Sequence, residues 1–287
     1  MGPNRRRLIL LTLAAVAAGA AALGALIGVA ILEWGWYNVA ANRQHFQPVH
    51  TALERAMHAS VRNRAAEVKV PPLGDQQLIR RGAGLYHARC VSCHGGPGVP
   101  QAAFSMSMQP VPGPLVDAAR RWTAAEMYWI VRHGIKMSGM PAWEYHLAEG
   151  DIWATVAFLT ELPKLTPQAY AARMADAVPP AATGEPQRGG GPPRPPDPAR
   201  GRVALTQYAC HACHMIPGVT GSRTYVGPPL KGVASRTLIA GRLPNSADNM
   251  VFWIRNPQRA DPRTAMPNMG VSETDARDIA AYLQTLH

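Results

Sequence analysis

Cys90-Val91-Ser92-Cys93-His94 and Cys210-His211-Ala212-Cys213-His214 are two copies of one pattern, C-x-x-C-H, and together they use all four cysteines of the 287-residue chain. The pattern suits covalent attachment of a porphyrin. Two thiols three positions apart add across two vinyl groups, and the adjacent imidazole reaches the iron as proximal ligand. Two other chemistries use paired cysteines. A zinc ribbon spaces its C-x-x-C pairs by about 15–20 residues, whereas Cys90 and Cys210 stand 120 positions apart. A dithiol redox site needs a βαβ setting, which neither flank offers. The expectation is two covalently bound c-type haems, one on Cys90, Cys93 and His94, the other on Cys210, Cys213 and His214.

The stretches around the two motifs follow one plan. Each has a short helical segment before the motif, an irregular Gly/Pro region after it, a capped middle helix, a Met-Pro pair and an amphipathic terminal helix. In the first, Thr123 to Glu126 reads as a capping box ahead of Met127-Tyr128-Trp129-Ile130, and Gly134 ends that helix. In the second, Ser246 caps Met250 to Ile254, and Ser272 to Asp275 opens a helix with Ile279, Tyr282, Leu283 and Leu286 on one face. Ile152, Val156 and Leu159 mark the corresponding face in the first. No stretch alternates as a strand would, so the expected fold class is mostly α.

Upstream, Leu8 to Leu32 carries no charge. At 1.5 Å per residue this run spans a hydrocarbon core of about 30 Å, and it exceeds the roughly 7–15 apolar residues of a cleaved leader. Arg5, Arg6 and Arg7 precede it, and Trp34, Trp36 and Tyr37 follow it. This predicts an uncleaved single-pass anchor that meets lipid through residues 8–32, with the N-terminus cytoplasmic and the rest outside.

The expected organisation is a tip and anchor over 1–37, a juxtamembrane stalk over 38–74 with a solvated helix from His50 to Glu67, a first domain over 75–163, a Pro/Gly-rich linker over 164–198 and a second domain over 199–287. Each domain is small, and a large apolar prosthetic group would supply much of its core. Formal net charge is +11. From Arg200 onward ten basic residues face five acidic ones, whereas Asp75 to Glu161 has seven of each. No Lys/Arg block interleaves with aromatics, so nucleic acid is not expected as a partner, and the basic half suits an acidic protein surface better.

A proximal His leaves the sixth position of an iron open. A Met there gives an electron-transfer site of raised potential, while an open position permits catalysis. Met140, in Gly139-Met140-Pro141, and Met266, in Ala265-Met266-Pro267, occupy matching places in the repeat and are the expected sixth ligands. Met137 and Met269 compete but lack the proline, and Met127 and Met250 read as core. His211 reads as solvent-facing. His133 and His146 read as solvated or capping residues, and the spacing of His45, His50 and His58 fits no compact site.

With these residues in place, the chain resembles two tandem class I cytochromes c. Gly82 and Tyr86, eight and four positions before Cys90, match the family's first helix. Gly227-Pro228-Pro229-Leu230 matches its G-P-x-L segment, and Ile279-Ala280-Ala281-Tyr282-Leu283 its terminal helix. The resemblance implies that a proline carbonyl in G-P-x-L orients the proximal His. The first domain departs from the pattern with Gly113-Pro114-Leu115, and the second lacks the Gly/aromatic spacing before Cys210, with Leu205 the nearest substitute for the aromatic. As a whole the chain resembles membrane-anchored dihaem cytochromes c of bacterial respiratory chains. The resemblance implies periplasmic haem domains on the inner membrane. Electrons would come from a quinol-oxidising complex or dehydrogenase and pass toward a terminal haem-copper oxidase, the chain acting as donor or bound subunit. No acid/base constellation stands out. The alternative is a dihaem peroxidase-like enzyme with one open haem.

Overall fold

The computed structural model describes residues 2–177, 194–221, 223 and 225–287. These form two compact units, 2–142 with 150–177 and 143–149 with 194–287. The fold is mostly helical, as expected. The middle of the predicted linker, residues 178–193 with its Gly189–Gly191 run, lies outside the described residues.

In the first stretch the helices are α1 (Pro3–Trp34), α2 (Gln47–Ala65), α3 (Gln76–Arg89), the one-turn α4 (Val91–His94), α5 (Ala118–Arg121), α6 (Ala124–His133), α7 (Glu149–Glu161) and α8 (Pro167–Ala175). By length and composition α1 is a candidate membrane span. It ends where Gly35 takes a left-handed conformation, φ 64°, and returns its N–H to Ala30 O.

Close packing at one glycine organises the first domain. A Cβ on Gly82 would lie 1.9 Å from Ala154 O and 3.0 Å from Phe158 Cβ, so α3 crosses α7 with backbone against backbone. Around that crossing Tyr86 meets Phe158 at 5.3 Å, Tyr128 stacks on Trp153 at 4.0 Å, and Tyr170 of α8 closes on Phe158 at 6.5 Å. The expected single apolar face of α7 is therefore only part of the story: every residue from Asp151 to Leu159 is buried. A helix covered on all sides needs small and apolar residues all round, which Ile152-Trp153-Ala154-Thr155-Val156-Ala157-Phe158-Leu159 provides. The capping box at Thr123 and Glu126 forms with both of its hydrogen bonds.

Two segments expected outside the domain pack onto it. The C-terminal half of α2 is not a solvated stalk: Val61 and Ala65 are buried, His58 stacks on Trp122 at 4.2 Å, and Arg62 approaches Glu126 at 3.8 Å. Similarly, the first part of the predicted linker is α8, capped by Thr166, with Tyr170 1% exposed. Tyr170 supplies the reason, because a buried aromatic of this size gives a nine-residue helix a tertiary partner.

The second unit contains α9 (Pro198–Gln207), a 3₁₀ turn at Cys210–Ala212, a hairpin of β1 (Leu238–Ile239) and β2 (Leu243–Pro244), then α10 (Ala247–Arg255), α11 (Pro257–Ala260) and α12 (Glu273–Leu283). The two-residue strands of the hairpin pair Leu238 with Pro244 and Ile239 with Leu243, within the mostly α fold expected. Leu205, Tyr208, Met250, Trp253, Ile279 and Leu283 share one core. Ser246 and Ser272 cap α10 and α12 as expected. The last residues of the predicted linker dock here: Arg194 donates to the Asp278 carboxylate, which is 1% exposed, and so does the Asp197 N–H, at 2.8 Å.

Candidate functional site

Each C-x-x-C-H string is a single helical turn. His94 N–H donates to Cys90 O at 2.9 Å and Cys93 N–H to the same oxygen at 3.1 Å; the corresponding bonds from His214 and Cys213 to Cys210 O are 3.0 and 3.2 Å. One turn places residues three and four apart on the same side, so two sulfurs and an imidazole leave each turn together. None of the four cysteines is in a disulfide. Burial pushes the Cys90 thiol up to about 12 and the Cys210 thiol up to about 11, in each case with the second cysteine of the pair adding to the shift. Among the described residues no group of three or more His, Cys, Asp or Glu is placed to hold a metal ion.

The two imidazoles are oriented alike. His94 Nδ1 lies 2.8 Å from Gly113 O, and His214 Nδ1 lies 2.8 Å from Pro228 O. A carbonyl only accepts, so each Nδ1 carries the proton and each Nε2 keeps its lone pair free. Burial, the larger effect, lowers the His94 pKa, while the bond to Gly113 raises it. Pro228 is the proline that the G-P-x-L comparison implies. In the first domain Gly113 takes its place, and counted back from Leu115 and Leu230 the two carbonyls occupy the same position.

Apolar surface lies open near both motifs. A Cβ on Gly227 would stand 2.4 Å from His214 Cε1, so the backbone there lies directly on the imidazole edge. Phe104, Met106 and Val111 in the first domain, and Tyr225 and Val226 in the second, are large apolar side chains left exposed in the loops beyond each motif. A cavity of about 370 Å³ opens beside His214, lined also by Ile216, Val219 and Pro229. A free imidazole lone pair, two sulfurs on the same side and uncovered apolar surface are together the donor set and wall that a covalent haem requires.

The methionines are pinned in parallel. Met140 N–H donates to Ser138 Oγ at 3.3 Å, and Met266 N–H donates to Thr264 Oγ1 at 3.2 Å. Their carbonyls also accept bonds, from Ile135 N–H at 3.4 Å and from Gln258 Nε2 at 2.6 Å. Met140 and Met266 are half-buried, whereas Met137 is 92% exposed with φ 60° and Met269 is 40% exposed. Met127 and Met250 are core, as expected. The hydroxyl two residues before each Met is legible in the sequence as a shared [ST]-x-M-P string.

Two further expectations change. His211 is not simply solvent-facing. It is half-buried, Gly221 would bring a Cβ within 3.0 Å of it, and its Nδ1 is buried without a hydrogen-bond partner. The second domain lacks the exact Gly/aromatic spacing, as expected, yet a glycine still marks its helix crossing. A Cβ on Gly201 would sit 2.0 Å from Asp278 O, so Gly201 and Leu205 repeat the four-residue step of Gly82 and Tyr86. The register before the cysteine is one residue longer, and Ala209 absorbs it in a left-handed conformation, φ 52°. The aromatic changes helix as well: Tyr86 of α3 donates to Gly95 O at 2.7 Å, whereas in the second domain Tyr282 of α12 donates to Pro217 O at 2.7 Å. The remaining histidines stay apart, His45 beside Tyr37, His50 beside Glu54 and His133 against Trp129.

Comparison with known proteins agrees with this geometry. Residues 77–159 match the family described as cytochrome C oxidase, cbb3-type, subunit III, and residues 198–287 match the family described as cytochrome c. A relative from Alkalihalophilus pseudofirmus, named cytochrome c oxidase subunit 2, is 36% identical over 88 residues, which is 30% of this chain and 25% of that protein. The chain thus spans only about a quarter of the length of that curated relative. No solved structure matches the chain. With two matching turns, two matching imidazole bonds and two family matches, the chain carries two cytochrome c-type domains in tandem, over residues 77–159 and 198–287.

Proposed function

We propose that this is a membrane-anchored dihaem c-type cytochrome, with one haem on Cys90, Cys93 and His94 and Met140 as its sixth ligand, and the other on Cys210, Cys213 and His214 with Met266. The observation that carries the assignment is the pair of Nδ1–carbonyl bonds, each of which fixes an imidazole with Nε2 free beside two sulfurs on one helical turn. Bound haem supplies a one-electron couple between ferric and ferrous iron. The protein's part is to hold ligands that serve both oxidation states: imidazoles locked by Gly113 and Pro228, and methionine loops locked by Ser138 and Thr264. Methionine and histidine together as ligands would raise the potential, and held in place they would keep rearrangement small. No proton need be moved by a side chain.

The respiratory placement rests on three supports: the cbb3-type subunit III family of the first domain, the oxidase subunit whose segment resembles this chain, and α1 as a candidate span. In this reading α1 crosses the bacterial inner membrane once, with the N-terminus cytoplasmic and both haem domains periplasmic. Electrons arrive from a quinol-oxidising complex or dehydrogenase and leave toward a terminal haem-copper oxidase, the chain serving as donor or bound subunit. The test is a carbon monoxide titration of the reduced full chain, followed in the Soret band, with Met140→Ala and Met266→Ala alongside. The expected result is no binding in the parent and one binding haem in each variant. Binding at one haem of the parent overturns bis-ligation and moves the peroxidase-like alternative forward.

A further inference from the structure

The first half of α2 has an apolar face that nothing in its own domain covers. Val49 and Leu53, 37% and 55% exposed, stand four apart on one side of the helix, and Phe46, its N-cap and 70% exposed, precedes them. Farther along the helix the domain-facing side turns away from this stripe, through Val61 and Ala65 against α6. The stripe begins only twelve residues after Trp34, the end of the candidate span, and the chain between holds exposed Trp36 and Val39, 70% and 89% exposed. That connection is ordered by side chains: Tyr37 bonds His45 and meets Phe46 at 6.0 Å. From Asn38 to Ala66 the charged residues are Arg43, Arg55, Arg62 and Arg64 against Glu54, which sits 3.9 Å from His50.

We propose that the N-terminal half of α2 is an interfacial helix whose occupant is the lipid headgroup layer. Phe46, Val49 and Leu53 face the acyl boundary, and Arg43 between span and helix favours anionic lipid. This rests on α1 being a retained anchor. Two observations select lipid over a protein partner: continuity with the candidate span and exposed tryptophans at its end. The consequence is functional. Because the same helix packs on α6, the first haem domain is held against the membrane surface through α2 and not suspended on a stalk.

The experiment reconstitutes the full chain in phosphatidylethanolamine/phosphatidylglycerol vesicles. A single cysteine is introduced by Val49→Cys, Leu53→Cys or, on the opposite side, Arg55→Cys, and each is modified with a nitroxide. Collision with oxygen is compared with collision with a water-soluble nickel chelate by electron paramagnetic resonance. All three positions are exposed, so folding is not at risk, and haem absorbance reports it. The expected result is an oxygen-to-nickel ratio severalfold higher at 49 and 53 than at 55. Equal, water-like ratios at all three overturn the proposal. So does inaccessibility to both reagents at 49 and 53, which would place protein on the stripe. Failure of the underlying readings shows separately: nitroxide on the parent would mean free native cysteines, and recovery of the chain away from vesicles would mean that α1 is no anchor.

Discussion

Gly201 is the sharpest test of how the second domain is built. In Gly201→Ala the new methyl would stand 2.0 Å from Asp278 O, 2.4 Å from Asp278 C and 2.9 Å from Ile279 N. All three are backbone atoms of α12, so no side chain can swing aside, and the helices must part by more than 1 Å to reach ordinary contact. Overpacking of this kind costs about 1–3 kcal/mol; with backbone on both sides the upper end applies. Replacing Gly by Ala inside α9 returns about 1 kcal/mol of helix propensity, leaving a net loss of about 2 kcal/mol. For a domain of this size that corresponds to a fall in Tm of roughly 8–16 °C. The assay is thermal unfolding of the haem-loaded chain, followed by far-ultraviolet circular dichroism and the Soret band, with each domain treated as its own transition. Gly82→Ala should destabilise the first domain by a similar route, its methyl standing 1.9 Å from Ala154 O. Gly150, with nothing within 4 Å of a built Cβ, is the control: Gly150→Ala should be neutral or slightly stabilising. A Gly201→Ala protein that melts with its parent refutes the backbone crossing as the organising contact.

Three further outcomes follow from particular contacts. Gly227→Ala should displace the His214 ring, 2.4 Å from the new methyl, and shift the potential of one haem in a redox titration, whereas Gly113→Ala, with open space, should leave both potentials unchanged. Tyr170→Ala should lower first-domain stability by about 3–5 kcal/mol through a cavity, while Tyr170→Phe removes a buried hydroxyl that has no partner and should cost less than about 1 kcal/mol in the same denaturation assay. Asp278→Ala leaves Arg194 and the Asp197 N–H without their acceptor and should cost about 1–3 kcal/mol, because the freed guanidinium can reach water; chemical denaturation of the second domain checks it, and an unchanged midpoint would remove residues 194–197 from that domain.

Legibility followed the range of the interactions. Thr123 with Glu126, Ser246 and Ser272 were readable because a cap is decided within four residues. The turns at Cys90–His94 and Cys210–His214 were readable because the attachment chemistry is itself local. Gly201 was hidden by one extra residue before Cys210, which moved it out of the expected register; the left-handed Ala209 that takes up that residue is a backbone conformation no residue type there announces. The covering of α7 on every side depended on α8, and α8 was read as linker because a nine-residue helix is marginal alone and is stabilised by burying Tyr170.

By itself, then, the sequence determined the helical class, the tandem plan, a 25-residue uncharged run and two C-x-x-C-H strings, all set by short-range patterns. Tertiary structure decided which carbonyl orients each imidazole, which methionines are sheltered, and that α2, α8 and residues 194–197 belong to their domains. The physical reason is that burial and hydrogen-bond pairing between residues far apart in the chain depend on where the helices cross, and a crossing is fixed by the fit of two surfaces that no single stretch of sequence contains.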